Sequence, residues 1–252
     1  MMHLARSFRD IPAGGPTVCC IGAFDGMHLG HQHLIGSAVQ EARMHDMRTV
    51  VVTFFPHPRA VLGRVEERYL TLPEEKARCT ARLGVDVLLV HEFTLETIHT
   101  RAEDFMHMMT HAFDMRSLWA GPDFAFGYRR EGTVAWLQSA AAVHGFAMNV
   151  AEPFLLDGRP VSSSRIRAAL GQGDMSEAAR CLGRPYSVGG RVGHTPCEVH
   201  LDERQWLPAV GEYAVRIGDE CNHLTIQGPG RPGQLRAPAP SPEHEPITVV
   251  FA

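Results

Sequence analysis

The chain has 252 residues, 44% hydrophobic and 21% charged, enough for one large domain or a medium domain with a small companion. Its formal charge of −4 excludes the basic excess or stripe of a general nucleic-acid binder. No stretch approaches the ~18 apolar residues of a membrane span, and the opening MMHLARSFRD lacks the apolar core of a signal peptide, so a soluble, cytoplasmic protein with no membrane partner is expected. Six cysteines form no CxxC pair, and the adjacent Cys19 and Cys20 sit in an apolar run where free thiols behave as small hydrophobes, in keeping with a reducing compartment. Lys76 is the one lysine among 24 basic residues. A bias so uniform reads as genome composition and carries no functional weight. The oligomeric state has no signal in the sequence.

From Pro16 to about Gly183, short apolar runs alternate with helical patterns. TVCCIGAF, TVVVTFF, VDVLLVHEF, SLWAG and FAMNVAEPF predict strands. HQHLIGSAVQEARMHD, PEEKARCTARLG, AEDFMHMMTHAFD and VAWLQSAAAVHG, with apolar residues three and four apart, predict helices. This alternation means βαβ units and a parallel sheet covered on both faces, with ligands beyond the carboxyl ends of the strands. After Arg184 the texture changes: YSVGGRV, CEVHLD, EYAVRIG, NHLTIQ and ITVVFA are short, β-rich and separated by turn residues. Domains are therefore expected at 1–183 and 184–252, the second a meagre β unit containing a Pro/Gly-rich mobile loop, GPGRPGQLRAPAPSPEHEP. The GPGRPG in that loop matches GxGxxG in form only, because no helix follows.

GAFDGMHLGHQ, residues 22–32, follows the first long strand. In HLGH the glycine permits a tight turn at a helix start, where exposed N–H groups and the helix dipole favour phosphate. His28 and His31 would donate to phosphate oxygens and stabilise charge building on phosphorus. The rival is a metal site made with His33, but no further His, Cys or Glu stands at zinc spacing. HMMTH at 107–111 has Met108 where HExxH requires its glutamate and reads as a helix surface. In VSSSRIRAALGQGD, 161–174, a serine caps a helix that stops near Gly171. Arg165 falls in its first turn, where the dipole disfavours a cation unless an anion sits beside it. Ser163, Ser164 and Arg165 would then hold phosphate opposite the histidines, the alternative being an ordinary capped helix. TFFPHPRAVLG (53–63) presents His57 and Arg59, and AGPDFAFGYRREG (120–132) sets Asp123 and aromatic rings around Gly127; aromatics beside polar groups suit stacking on a flat heterocycle, though either loop alone reads more simply as structural.

Together, G-x-F-D-G-x-H-x-G-H, T-F-x-P-H-P, G-x-D-F-x-F-G and S-S-S-x-I-R, in that order across residues 17–183, resemble the adenylyltransferase half of the bacterial bifunctional riboflavin kinase/FMN adenylyltransferase (FAD synthetase) family. The resemblance implies an α/β fold: a Rossmann-like nucleotidylyl transferase domain with a parallel sheet, followed by a small β-rich, riboflavin-kinase-like barrel that is degenerate here. It implies that ATP, carried with Mg²⁺, and FMN give FAD and pyrophosphate by in-line attack of the FMN phosphate, without a covalent intermediate. It places Gly22, Phe24, Asp25, His28, His31, Ser163, Ser164 and Arg165 on ATP, with His28, His31 and Arg165 catalytic. His57, Arg59, Asp123 and Phe126 fall on the FMN side, and no resident metal ligand is implied.

The C-terminal third departs from that family. LPAVGEYAV (207–215) matches a barrel strand, but TPCEV (195–199) stands where the family's G-F-P-T-A-N motif binds ATP and Mg²⁺ for riboflavin phosphorylation. Cys197 and Val199 replace Thr and Asn, and the preceding glycine loop is shortened, so a barrel without kinase chemistry is expected. Two other functions compete: transfer of a nucleotidyl group to another small phosphate, and non-catalytic flavin or nucleotide binding by a regulatory paralogue.

Overall fold

A computed structural model describes residues 2–57, 61, 63, 68–228 and 230–252. The chain forms two compact units, Met1–Glu67 with Pro73–Pro160, and Arg68–Leu72 with Val161–Ala252. No helix among the described residues is long and apolar enough to cross a membrane.

The first unit is built on strands β1 (His3–Ala5), β2 (Thr17–Ile21), β3 (Arg48–Phe55), β4 (Val87–Glu92), β5 (Met115–Ala120) and β8 (Ala147–Val150), with two-residue strands β6 (Ala125–Phe126), β7 (Gly132–Thr133), β9 (Leu155–Leu156) and β10 (Arg159–Pro160) in hairpins. The six longer strands make one parallel sheet in the order β1-β4-β3-β2-β5-β8. Side chains alternate across it. Cys19, Ile21, Val50, Val52 and Leu89 face the helix α3 (Ala102–Phe113) through Phe105, Met106, Met109 and Phe113. Val18, Cys20, Val51 and Leu88 face the helix α1 (Leu29–Met44) through Leu34, Ile35 and Ala38. Both thiols of the Cys19–Cys20 pair are enclosed, and burial pushes that of Cys19 up to about 12. Helices α2 (Pro73–Arg82) and α4 (Val134–His144) also belong to the unit. α4 starts at its Thr133 cap, whose hydroxyl accepts from Trp136 N–H at 3.2 Å.

The predicted strand–helix alternation is present throughout. β1 was not anticipated: three residues show no periodicity, and its pairing with β4 is a tertiary contact. His107 and His111 lie on the exposed side of α3, as a helix surface.

The second unit holds helices α5 (Ser163–Gly171) and α6 (Met175–Leu182) and strands β11 (Ser187–Val192), β12 (Glu198–Leu201), β13 (Gly211–Ile217), β14 (Glu220–Ile226), β15 (Gly233–Leu235) and β16 (Pro246–Phe251). These strands close into a barrel in the order β11-β12-β15-β14-β13-β16. Val188, Val199, Val215, Ile217, Leu224, Ile226, Val249 and Phe251 are buried on alternating positions. One expectation is corrected here. The Pro/Gly-rich stretch is not all loop, because its GQL is β15, which bridges β12 and β14 and closes the barrel. Gly233 is there for close approach: a Cβ would lie 2.7 Å from Leu224 Cδ1. The second compact unit begins at Val161, apart from the segment 68–72. α5 is tied to the barrel segment by Ala209 N–H on Leu170 C=O at 2.9 Å and by Arg167 over the Trp206 ring. The segment 68–72 joins it through reciprocal bonds of Tyr69 with Arg204 and Trp206.

Candidate active site

β2 lies mid-sheet, with the chain winding outward through β3 and β4 and then returning to β5 on its other side. The carboxyl ends of β2 and β5 are therefore the topological switch point, where open parallel sheets bind ligands. The loop that leaves β2 there is Gly22–His28.

Its shape is enforced. Phe24 (φ 47°), Gly26 (φ 92°) and Met27 (φ 43°) all occupy the left-handed region. For Phe and Met that conformation is strained by about 1 kcal/mol or more each. It persists because both side chains are core residues, 3% and 0% exposed. Gln32 Nε2 donates to Met27 C=O at 2.7 Å, tying the turn to α1. From beneath, Lys76 Nζ donates to Ala23 C=O at 2.7 Å and to Thr53 Oγ1 at 3.0 Å, and Thr53 Oγ1 donates to the same carbonyl at 3.0 Å. Burial pulls the Lys76 ammonium down to about 8 against the opposing charge of Asp25, itself only 5% exposed.

The loop delivers His28 as the N-cap of α1. Its Nδ1 accepts the His31 N–H at 3.3 Å, which assigns the proton of a neutral His28 ring to Nε2. The His31 ring stacks on it at 3.5 Å between centroids and 18° between planes, and Phe24 meets His31 edge-on at 5.3 Å. His31 Nδ1 is buried with no hydrogen-bond partner among the described residues. Burial, then His28, then Lys76 hold His31 well below the ordinary imidazole range, so this ring is neutral at neutral pH. A buried orphaned nitrogen costs about 1–3 kcal/mol, and such groups concentrate where a ligand supplies the partner. The site thus presents stacked imidazoles at the N-terminus of a 16-residue helix, a place suited to phosphate oxygens.

The other expected phosphate group opens α5, in the second unit. Ser162 is the cap, its Oγ accepting from Arg165 N–H at 3.2 Å, with Ser163 and Ser164 as the first helical residues. The first-turn cation does have its anion, but that anion is a carboxylate of the same unit. Arg165 Nε and Nη2 lie 2.7 and 2.6 Å from Glu177 Oε1, with both side chains under one-fifth exposed. Arg180 reaches the other oxygen at 3.4 Å. An unbalanced Arg165 awaiting phosphate is therefore corrected to an ion-paired one.

The residues expected on the flavin side are less uniform. His57 is half-buried, immediately after the cis Phe55–Pro56 bond, and Arg59 lies outside the described residues. Asp123 is exposed. Phe126 is committed to packing: it stacks on Phe124 and meets the edges of Phe105 and Trp136, all within 5.8 Å. Gly127 (φ 73°) permits this, since a Cβ would lie 2.7 Å from Ala102 N. The loop is thus structural at Phe126 and open at Asp123.

A model of the FAD synthetase family matches residues 11–165, from before β2 to Arg165. The chain belongs to that family. Among its relatives, the bifunctional riboflavin kinase/FMN adenylyltransferase of Listeria monocytogenes is 33% identical over 212 residues, 79% of this chain and 67% of the relative. The protein of the same name from Escherichia coli K12 is 31% identical over 235 residues, 86% and 73% of the two chains. The fold is also that of a solved Streptococcus pneumoniae protein described as a macrolide-efflux protein, with a TM-score of 0.85, 24% identity and coverage of 100% of this chain and 89% of the other.

Membership gives the histidine loop its family setting, and the structure adds what residue patterns missed. Lys76, Thr53 and Gln32 hold the loop, yet only the loop's own residues were singled out from sequence. A signal for Lys76 existed: the chain's one lysine, four residues before Thr80 on one helix face.

Proposed function

We propose that this chain is an FMN adenylyltransferase: it transfers AMP from ATP to the phosphate of FMN, yielding FAD and pyrophosphate. The observation that carries this reading is the β2–α1 loop, with neutral, partner-seeking His31 stacked on capping His28 at the switch point of a FAD synthetase-family sheet. ATP arrives as its Mg²⁺ complex, the metal being part of the substrate. An oxygen of the FMN phosphate attacks the α-phosphorus, the bond to the β-phosphate bridging oxygen breaks, and pyrophosphate leaves. The protein forms no bond, so its contribution is alignment and charge stabilisation. His28 donates from Nε2–H and His31 supplies a second imidazole to the phosphate oxygens. Gly22, Phe24 and Asp25 shape the ATP side. Ser163, Ser164 and Arg165 take the β- and γ-phosphates, with Glu177 fixing the orientation of the guanidinium. We assign His57, Arg59 and Asp123 to FMN, and Phe126 holds the loop of Asp123 in shape.

The same reading includes the absence of riboflavin phosphorylation. Phosphoryl transfer needs donors and a hard metal ligand around the transferred group. Val199, at the position of the family's asparagine, is fully buried in the barrel wall, and the Cys197 carbonyl is bonded to Leu235 N–H at 2.7 Å. Purified protein given MgATP and FMN is expected to release FAD and pyrophosphate over many turnovers, and given MgATP and riboflavin to release no FMN. Tight flavin binding without turnover would make it a binding protein instead. FMN formed from riboflavin at enzymatic rates would return kinase chemistry to the barrel.

A further inference from the structure

We propose that the barrel carries a second, unrelated site: a divalent transition-metal site of the zinc class, formed by His194, Glu243 and His244. His194 lies in the connection between β11 and β12, and Glu243 and His244 lie just before β16, with Glu245 between. Because β11 and β16 are antiparallel neighbours with Arg191 opposite Pro246, the two segments leave the ladder side by side. Their backbones are pinned. Val192 N–H donates to Glu245 C=O at 3.3 Å and His244 N–H to Val192 C=O at 3.0 Å, which extends the ladder beyond the strands. On the other segment Gly193 N–H donates to Glu198 C=O at 2.7 Å. His244 stands in the left-handed region (φ 63°), an uncommon conformation for a residue with a side chain.

The side chains converge. His194 Nδ1 is 3.1 Å and His244 Nε2 is 3.2 Å from the same oxygen, Glu243 Oε1. All three candidate ligand atoms lie within 4.8 Å of one another. Four ligands about 2.0–2.1 Å from a tetrahedral zinc stand roughly 3.3 Å apart, so two of the three ligand–ligand edges already have the required length. Only the edge between the two imidazoles must adjust, and their rings already meet at 5.4 Å and 84°. Two imidazoles and one carboxylate suit zinc and its neighbours better than Mg²⁺ or Ca²⁺, which take oxygen shells. The side chains are 80%, 52% and 63% exposed for His194, Glu243 and His244, so the fourth position is open to water and the metal exchanges readily. Without a metal the cluster contributes little, since exposed ion pairs of this kind are screened by solvent. With one, the β11–β12 connection is stapled to the approach of β16, a strand that pairs with both β11 and β13 to close the barrel.

The test uses full-length, untagged protein, stripped with a chelator and titrated with Zn²⁺ alone. One zinc per chain is expected, with a Kd at or below ~10 µM and a melting temperature that rises with free zinc. His194→Ala and His244→Asn, the latter chosen because asparagine tolerates the left-handed backbone, should each weaken binding by at least ~10-fold and abolish the rise. His31→Ala should leave zinc binding untouched. Binding weaker than ~10 µM, or stoichiometric binding that survives both barrel substitutions, would overturn the assignment.

Discussion

The N-termini of α1 and α5 use one backbone device with opposite electrostatics. In each, a side chain at the cap accepts the N–H of the third helical residue: His28 Nδ1 from His31, and Ser162 Oγ from Arg165. In α1 that third residue is an enclosed imidazole held neutral. In α5 it is a permanent cation, balanced by Glu177 at 2.6 Å. A neutral ring can sit against the positive end of a helix dipole at little cost before any ligand arrives, whereas a guanidinium there needs a built-in counter-charge. The first arrangement leaves a donor or acceptor waiting. The second is complete within the protein, so its loss should be felt in stability as well as in ligand handling.

The largest expected effect breaks the first arrangement. His31→Ala should reduce FAD formation by at least ~100-fold, the scale of losing one transition-state donor. Folding should survive, because the ring leaves behind no buried charge. Turnover measured beside the melting temperature and circular dichroism checks both halves. Collapse of the fold would recast His31 as a core residue.

Arg165→Ala sharpens the contrast. The dipole considered alone predicts that removing a first-turn cation leaves ligand-free stability level or better. The ion pair with a largely covered Glu177 reverses that sign, and a loss of about 2–3 kcal/mol is expected, with Arg180 supplying part of the missing charge. Urea unfolding without ligand decides between the signs, and Arg165→Ala combined with Glu177→Gln should recover much of the loss.

The smallest effect on stability is expected at Lys76. Keeping this ammonium charged in its buried setting, about 8 against an ordinary 10.5, costs about 3 kcal/mol. Lys76→Met removes that cost along with the donors to Ala23 and Thr53, so unfolding free energy should change by less than ~1 kcal/mol while turnover falls about 10-fold. The lowered value also sets a pH dependence. Below about 8 the lysine is charged in both folded and unfolded chains, and its burial penalty is fully present. As pH rises from about 8 to about 10.5, the folded protein gives up the proton first and the penalty fades. Wild type should therefore gain stability relative to Lys76→Met across that window. With lysine alone ¹³C-labelled the untagged protein gives one ε-carbon resonance, and a midpoint near 10.5 would show an exposed ammonium.

Much of this was readable from residues. The five long parallel strands of the first unit follow from apolar runs bounded by glycine and charge. The α1 and α5 starts follow from HLGH and SSSRIR, because caps are local. What escaped depends on contacts between distant segments. β15 was hidden in a Pro/Gly-rich stretch, since its three residues gain meaning only between β12 and β14. The Arg165–Glu177 pair joins two helices, and nothing in SSSRIR announces it. Phe126 stands in a polar-looking loop, yet its ring belongs to Phe105 and Trp136. Lys76 lies more than 50 positions beyond the Ala23 carbonyl it supports.

The central claim is that the β2–α1 loop carries AMP transfer to FMN. It is tested most directly by single-turnover reaction of wild-type and His31→Ala protein with FMN and Mg²⁺-ATP labelled at the α-phosphorus. The label should pass from ATP into FAD on wild-type protein, never appear on the protein itself, and stay in ATP with a folded His31→Ala variant. Label retained in ATP by wild type, label attached to protein, or transfer undiminished without the His31 ring would contradict the account.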